Sequence, residues 1–234
     1  LVVLVFRSFL LPASDDIHEP EEAAEKTSRN PRIFYMLGAV GLCAAIIEGS
    51  AGDWGAVLIT DDFGATGLIS SLPYIVFQTA MVIGRFSSDA LTTRYGRASI
   101  LLGCGLLAAI GLSAGLVIGG QVAIVVAWFL IGAGASVVIP MVFSLAGSIA
   151  KKSYAGVIAP SQAVATVTGI SYSAFLIGPP VIGVVADIIS LRWAMLIPAC
   201  LALGIVIGSR IAAGAEGSAE GQSLSRGKQH ETPM

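Results

Sequence analysis

Long apolar runs alternate with short polar segments along almost the whole chain. Six runs follow residue 32, at about 33–51, 67–86, 99–118, 122–149, 161–189 and 193–213. A helix of roughly 20 residues crosses the ~30 Å hydrocarbon layer of a bilayer, and all six runs approach or exceed that length. Because lipid offers no partner for exposed backbone amides, each run is predicted to be a transmembrane α-helix.

The segments outside these runs complete the predicted domain organisation. Residues 1–12 are apolar and are interpreted as the end of a preceding helix, while residues 13–32 form a polar, acidic loop. Residues 214–234 are polar and rich in Gly and Ser, which predicts a disordered tail. The fold class is therefore all-α, a polytopic transmembrane helical bundle at 33–213 plus the end of another helix. Since residue 1 is Leu and no signal-peptide pattern is present, we expect a fragment of a longer protein.

Composition agrees with a membrane protein and argues against several other classes. Hydrophobic residues make up 55% of the chain and charged residues 12%, too few charges to cover a soluble domain. No basic patch with interleaved aromatic residues indicates a nucleic-acid partner. No phosphate-binding P-loop, nucleophile constellation or metal-ligand pattern stands in the sequence, so we expect no enzyme activity, no cofactor and no metal.

The distribution of Lys and Arg predicts an orientation. If loop 13–32 lies in the cytoplasm and the spans alternate, 12 of the 13 Lys and Arg residues fall on the cytoplasmic side. Arg192 alone falls outside. This asymmetry follows the positive-inside rule and predicts a cytoplasmic C-terminal tail as well.

The most specific motif lies between the second and third runs. Gly84 permits close helix contact, and Asp89 can accept hydrogen bonds from a neighbouring helix N-terminus or from nearby arginines. Together these features predict a conformational latch that breaks and reforms between two states. Its residues are Gly84, Arg85, Asp89, Arg94, Gly96 and Arg97. The alternative is that the arginines are ordinary positive-inside anchors.

This motif resembles the cytoplasmic signature of the major facilitator superfamily, which stands between helices two and three and again between helices eight and nine. The fifth run, with Gly178, Pro179, Pro180 and Gly183, resembles the broken helix eleven of these transporters. Loop 13–32 resembles their central linker, so the resemblance implies that the six runs are helices seven to twelve. The segment 48–54 and the fifth run are similar to an uncharacterised bacterial branch near the sugar-permease-like members.

The resemblance implies a function. It indicates a secondary active transporter of a bacterial inner membrane that moves a small solute by alternating access. Such transporters bind substrate between two halves near the midplane, so the expected partners are lipid, the solute and a missing N-terminal six-helix half. The alternative is a non-transporting membrane remnant, scaffold or sensor with the same fold.

Two acids are candidates for proton coupling. Glu48 is the acid embedded in a predicted span, ~22 Å from its start and therefore expected toward the outer face. Because a carboxylate is costly inside a membrane and often functional there, Glu48 is predicted to couple proton entry to transport. Asp53 is a second candidate, expected just beyond the helix end. The alternative for Glu48 is a hydrated outer-rim residue paired with Arg192.

Polar side chains inside the spans are candidates for a substrate cavity. Tyr74 and Gln78, four residues apart, share one helical face. Gln162, Thr166 and Tyr172 lie in the fifth run. In lipid these groups must face protein or water, so they are predicted either to line a cavity or to bond between helices.

Small residues and prolines predict how the spans pack and bend. Small residues recur at 111–119 and 132–136, which favours close helix contacts. Pro140, Pro179 and Pro180 each remove a backbone donor, and they are predicted to kink their helices.

Overall fold

A computed structural model describes the backbone of residues 31–230 and the side chains of residues 31–214. Throughout that part of the chain the regular structure is helical and no strand occurs, which confirms the predicted all-α fold. The predictions for the helix end at 1–12 and for residues 13–30 of the polar loop lie outside the described residues.

The helices of the described region form six spans. They are α1 (Arg32–Asp61), α2 (Leu68–Tyr95), α3 (Arg97–Ile118), α4 (Gln121–Ala135), α5 (Val138–Ser153), α6 (Pro160–Tyr172), α7 (Ala174–Ile189), α8 (Leu191–Ala194) and α9 (Leu196–His230). The fourth, fifth and sixth spans are made of α4 with α5, α6 with α7, and α8 with α9. Each span is long and apolar enough to cross a membrane, as the hydrophobic pattern predicts.

The last helix extends beyond the predicted end of the bundle. The backbone of α9 is helical to His230, within the segment predicted to be disordered. The side chains after Gly214 are not described, so the division of the chain at residue 214 stays a prediction.

Two helices are longer than their apolar runs. α1 continues past Ala51 to Asp61 because Leu58 and Ile59 carry its buried face onward, and both are fully buried. α2 continues through polar residues to Tyr95 and ends at Gly96, whose φ of 77° breaks the helix. α3 begins at the next residue, so most of the predicted loop between these spans is helical.

The first span is the centre of the bundle. α1 contacts α2, the α6–α7 span and α9, and 61% of the 18 most apolar consecutive residues of this span are buried. The corresponding values for α2 and the α6–α7 span are only 22% and 17%. We call the exposed surfaces of α2 and α6–α7 that adjoin α1 the open face.

Small residues bring the spans into close contact, as predicted. A Cβ atom added to Gly132 on α4 would lie 2.5 Å from the carbonyl oxygen of Phe77 on α2. Gly115 on α3 packs directly on the Ala127 methyl group of α4. These backbones approach closely because no side chain separates them, and such contacts replace the hydrophobic driving force that lipid cannot supply.

Prolines account for one helix interruption and not for another. The fourth span breaks at Ser136–Val137, four residues before Pro140, whose ring cannot donate to the Ser136 carbonyl and displaces it. The fifth span is interrupted at Ser173, while α7 remains helical through Pro179 and Pro180. The fourth residue before Pro179 is Phe175, so the interruption lies two residues ahead of the position that the prolines predict.

Candidate functional site

Two opposite charges meet inside the bundle. The Nη2 atom of Arg85 on α2 lies 3.6 Å from the Oε1 atom of Glu48 on α1. At 1.5 Å per residue, each residue stands at least ~15 Å from either end of its helix. The side chains are 50% and 27% exposed respectively, so the pair borders the open face and is not sealed in the core.

The structure corrects the predicted positions of both acids. Glu48 lies near the middle of α1, not toward one end, because the helix continues ten residues past the end of its apolar run. Asp53 lies within α1 and is exposed, not beyond the helix.

Arg192 does not reach Glu48. Its Nε donates to the carbonyl of Leu116 at 2.7 Å and its Nη2 to that of Val117 at 3.2 Å. These carbonyls belong to the last turn of α3, where a cation is favoured by the helix dipole. The guanidinium also lies 5.4 Å from the ring centroid of Phe63. One feature of the sequence could have indicated this cap. Arg192 is the one basic residue predicted to lie at the end of the spans opposite to the other twelve.

Tyr74 and Gln78 form the polar edge of the open face. The Gln78 Nε2 atom donates to the Tyr74 hydroxyl at 2.9 Å, which confirms that the two share a face. Tyr74 lies beside Gly52, at 3.8 Å from an added Cβ atom. Because α1 and α2 run antiparallel, Glu48, one turn before Gly52, is level with Gln78.

Aromatic rings form the opposite edge. Tyr172 is 50% exposed, and its ring centroid lies 6.1 Å from that of Phe143 and 5.9 Å from that of Phe175. The Cδ1 atom of Phe175 lies 3.2 Å from where a Cβ atom of Gly49 would stand. The residue after Glu48 therefore touches this aromatic group.

The other two cavity candidates lie apart from this region. Gln162 and Thr166 are in the first turns of α6, and Gln162 is about 15 Å along the helix from Tyr172. The Thr166 hydroxyl donates to the Gln162 carbonyl at 2.9 Å, within its own helix. The structure brings Tyr74, Gln78 and Tyr172 toward Glu48, but not these two. A cavity role for all five stays a prediction.

The latch residues divide into two groups. Gly84 packs on Ser136 at the break of the fourth span, and Arg85 contacts Glu48. Sequence reasoning missed the Glu48–Arg85 pair because the two residues are distant in the chain and Arg85 was assigned to a loop.

The remaining latch residues cluster where α2 meets α3. Asp89 is exposed on α2, and the Arg94 guanidinium lies 5.3 Å from the Tyr95 ring centroid. Gly96 forms the turn, and Arg97 begins α3. A latching function for this group stays a prediction.

Known proteins with similar sequences indicate the family of this chain. A sequence model described as Major Facilitator Superfamily matches residues 54–229. The chain is 34% identical over 181 residues to an uncharacterized MFS-type transporter of Yersinia pestis, covering 77% of this chain and 46% of that protein. It is 26% identical over 207 residues to the membrane protein MosC of Rhizobium meliloti, covering 88% and 49%. The chain thus spans about half the length of the curated relatives it matches.

A solved structure has the same fold. The crystal structure of the major facilitator superfamily transporter FucP in the outward conformation matches with a TM-score of 0.72 at 20% identity. The match covers 90% of this chain and 51% of that one. The fold and the sequence match agree: this chain is a multi-pass membrane protein that belongs to the major facilitator superfamily, a family of membrane transporters.

Proposed function

We propose that this chain is one half of a secondary active transporter that moves a small solute by alternating access. A second six-helix bundle would cover the open face and complete the substrate site. Two observations support this proposal: the chain spans about half the length of its relatives, and α2 and α6–α7 are the least buried spans. Membership of the family supports transport as the function, and the proposal assigns no residue a catalytic role.

The proposed coupling ion is the proton, and the observation that carries this proposal is the contact between Glu48 and Arg85. While Glu48 is ionised, its attraction to Arg85 holds α1 and α2 together at this level. Protonation of the carboxyl group removes that attraction and leaves Arg85 free to take another partner. A proton taken up on one side of the membrane can therefore change the helix contact. Asp53 is a secondary candidate, since it is exposed on the same helix.

A latch near the α2–α3 turn would control the exchange between states. We assign it to Gly84, Asp89, Arg94, Gly96 and Arg97, and we assign Arg85 to the pair with Glu48 instead. In the proposed orientation this turn, loop 13–32 and the tail face the cytoplasm of a bacterial cell. Arg85 lies within a helix and is not counted among the loop residues. Eleven basic residues then remain on the cytoplasmic side, with Arg192 on the other side.

The coupling is tested with the full-length protein in proteoliposomes that enclose a pH-sensitive dye. Glucose, benzoate and ethidium serve as probes for sugars, organic acids and cationic drugs. We expect Glu48→Gln to abolish uptake driven by a pH gradient while leaving exchange of labelled for unlabelled solute. Asp62→Asn, an acid-to-amide change at an exposed turn, is the matched control and should behave as wild type.

Two results would count against the proposal. Unchanged pH-driven uptake in Glu48→Gln would reject the coupling role of this residue. A natural coding sequence with no further spans upstream of residue 1 would favour the non-transporting alternative, a membrane scaffold or sensor. Six further spans with a second copy of the signature motif would support transport.

A further inference from the structure

The Arg85 guanidinium makes one long contact within the part of the chain whose side chains the structure describes. Its contact with Glu48 is 3.6 Å, longer than the 2.7–3.2 Å typical of an N–H···O hydrogen bond. Between residues 31 and 214 no acceptor lies within hydrogen-bond distance of it, although a guanidinium carries five N–H donors. The side chain is half exposed on the open face. A cation inside a span in this situation is suited to a ligand with anionic oxygens.

The surroundings of the pair are polar on one side and aromatic on the other. Gln78 and Tyr74 lie on the α2 side, where their amide and hydroxyl already bond to each other. Tyr172 and Phe175 lie on the α6–α7 side, with 50% and 43% of their surfaces exposed. A ligand in contact with Arg85 can therefore pack an apolar body against these aromatic rings. A ligand rich in hydroxyl groups would find few polar side chains left to bond.

We infer that the site binds a small monocarboxylate with a flat apolar body. Its carboxylate would form the paired N–H···O bonds that a guanidinium makes with planar oxyanions. Its body would lie against Tyr172 and Phe175. This inference rests on the proposed transport function, because it identifies the class of solute for the same site.

Charge balance links this ligand to one proton. Arg85 and Glu48 together are neutral, and a bound carboxylate that takes Arg85 leaves Glu48 ionised without its cation. An unpaired carboxylate inside the bundle is strongly unfavourable, so Glu48 takes one proton from the solution that the site faces. When the ligand leaves, Glu48 releases that proton and returns to Arg85. One proton therefore accompanies each carboxylate, and the loaded site carries no extra charge.

Other titratable groups near α1 do not replace Glu48 in this scheme. The charged side chains on the packed helices lie toward helix ends, apart from Asp89, which is one turn beyond Arg85, and Arg210, which is four residues before the end of the apolar span Leu191–Gly214. On the helices packed against α1, within the described side chains, these groups are Tyr74, Asp89, Arg94, Tyr95, Lys151, Lys152, Tyr172, Asp187, Cys200 and Arg210.

The test uses the full-length protein in detergent with two probes of nearly equal shape, benzoate and its neutral analogue benzamide. We expect benzoate to raise the apparent Tm and benzamide to leave it unchanged. In weakly buffered solution near neutral pH, a pH dye should report one proton consumed for each benzoate bound. Glu48→Gln should bind benzoate roughly ten-fold more tightly, because its internal competitor is gone, and should consume no proton.

Variants at Arg85 complete the experiment. Arg85→Gln should lose benzoate binding, and its apparent Tm without ligand shows whether it folds. If Arg85→Gln does not fold, the inference is tested by the benzoate affinity and the proton uptake of Glu48→Gln. Lys152→Gln, an exposed cation in the last turn of α5, is the control and should keep both binding and proton uptake.

Several outcomes would overturn the inference. These are equal stabilisation by benzamide, stabilisation by inorganic phosphate but not by benzoate, and loss of benzoate binding in Glu48→Gln. Proton-coupled uptake of glucose or ethidium without carboxylate binding would reject this substrate class and leave the proposed function standing. Benzoate binding with its proton, but with no uptake in proteoliposomes, would reject transport and leave the binding site standing.

Discussion

The contact between Gly84 and Ser136 predicts a stability loss that a second mutation should reverse. A Cβ atom on Gly84 would collide with the Ser136 hydroxyl and lie 2.6 Å from the Ser136 Cβ atom. Carbon atoms pack at about 3.5–4.0 Å, so one of the two helices must move by about 1 Å. Ser136 is 1% exposed and its hydroxyl donates to the Ala133 carbonyl at 2.7 Å, which leaves it little room to yield.

The expected cost of Gly84→Ala is about 1–3 kcal/mol, the usual range for overpacking a well-filled contact. At about 2 °C per kcal/mol for a large chain, the apparent Tm of the full-length protein in detergent should fall by about 2–6 °C. In a Ser136→Gly background the nearest remaining atom is the Ala133 carbonyl oxygen at 3.7 Å, an ordinary contact. There the same substitution should cost almost nothing, so the two changes are strongly coupled.

A matched control separates packing from a general effect of replacing glycine. Gly103 on α3 has no atom within 4 Å of an added Cβ atom, so Gly103→Ala should leave the apparent Tm unchanged or raise it slightly. All five proteins, the wild type, the three variants at Gly84 and Ser136 and the Gly103→Ala control, are compared in one detergent by a thiol-reactive dye that reports unfolding through the free cysteines. An equal fall of the Tm in the wild-type and Ser136→Gly backgrounds would refute the contact.

Three further predictions concern other features. Ser190 has a φ of 112°, a conformation that costs of order 1–3 kcal/mol for a residue with a side chain, so Ser190→Gly should raise the apparent Tm; a fall would show that the strain is absent. Trp128 is fully buried and its indole N–H donates to the Ala51 carbonyl at 3.1 Å, which links α4 to α1. Trp128→Phe should therefore cost about 1–2 kcal/mol of stability and lower the apparent Tm. An unchanged Tm would contradict a stabilising role for this bond. Asp89→Asn should slow the exchange between inward and outward states, measured by solute counterflow, with little change in affinity; a large affinity loss with normal exchange would count against the latch.

Local patterns were sufficient for the architecture. The six spans, their helical form and the close contacts at small residues all follow from hydrophobicity and helical periodicity over stretches of about 20 residues. The shared face of Tyr74 and Gln78 was predictable for the same reason, since residues four apart in a helix are neighbours whatever the rest of the fold does.

The ends of the helices and the partners of the charges depend on packing. α1 extends to Asp61 because Leu58 and Ile59, which follow the end of its apolar run, are buried in the bundle. No local pattern in the sequence reveals that burial. The interruption of the fifth span at Ser173, ahead of its prolines, is likewise a property of the folded span.

The sequence by itself determined that this is a six-span helical bundle of the superfamily, with a carboxyl group inside one span. Only the tertiary structure decided that Glu48 meets Arg85 and that Arg192 caps α3 instead. The physical reason is that lipid imposes helices on every apolar stretch, whereas the pairing of charges depends on which helix surfaces pack and at what level. A long side chain such as Arg85 can reach about two turns along a neighbouring helix, a distance that spacing in the sequence does not record.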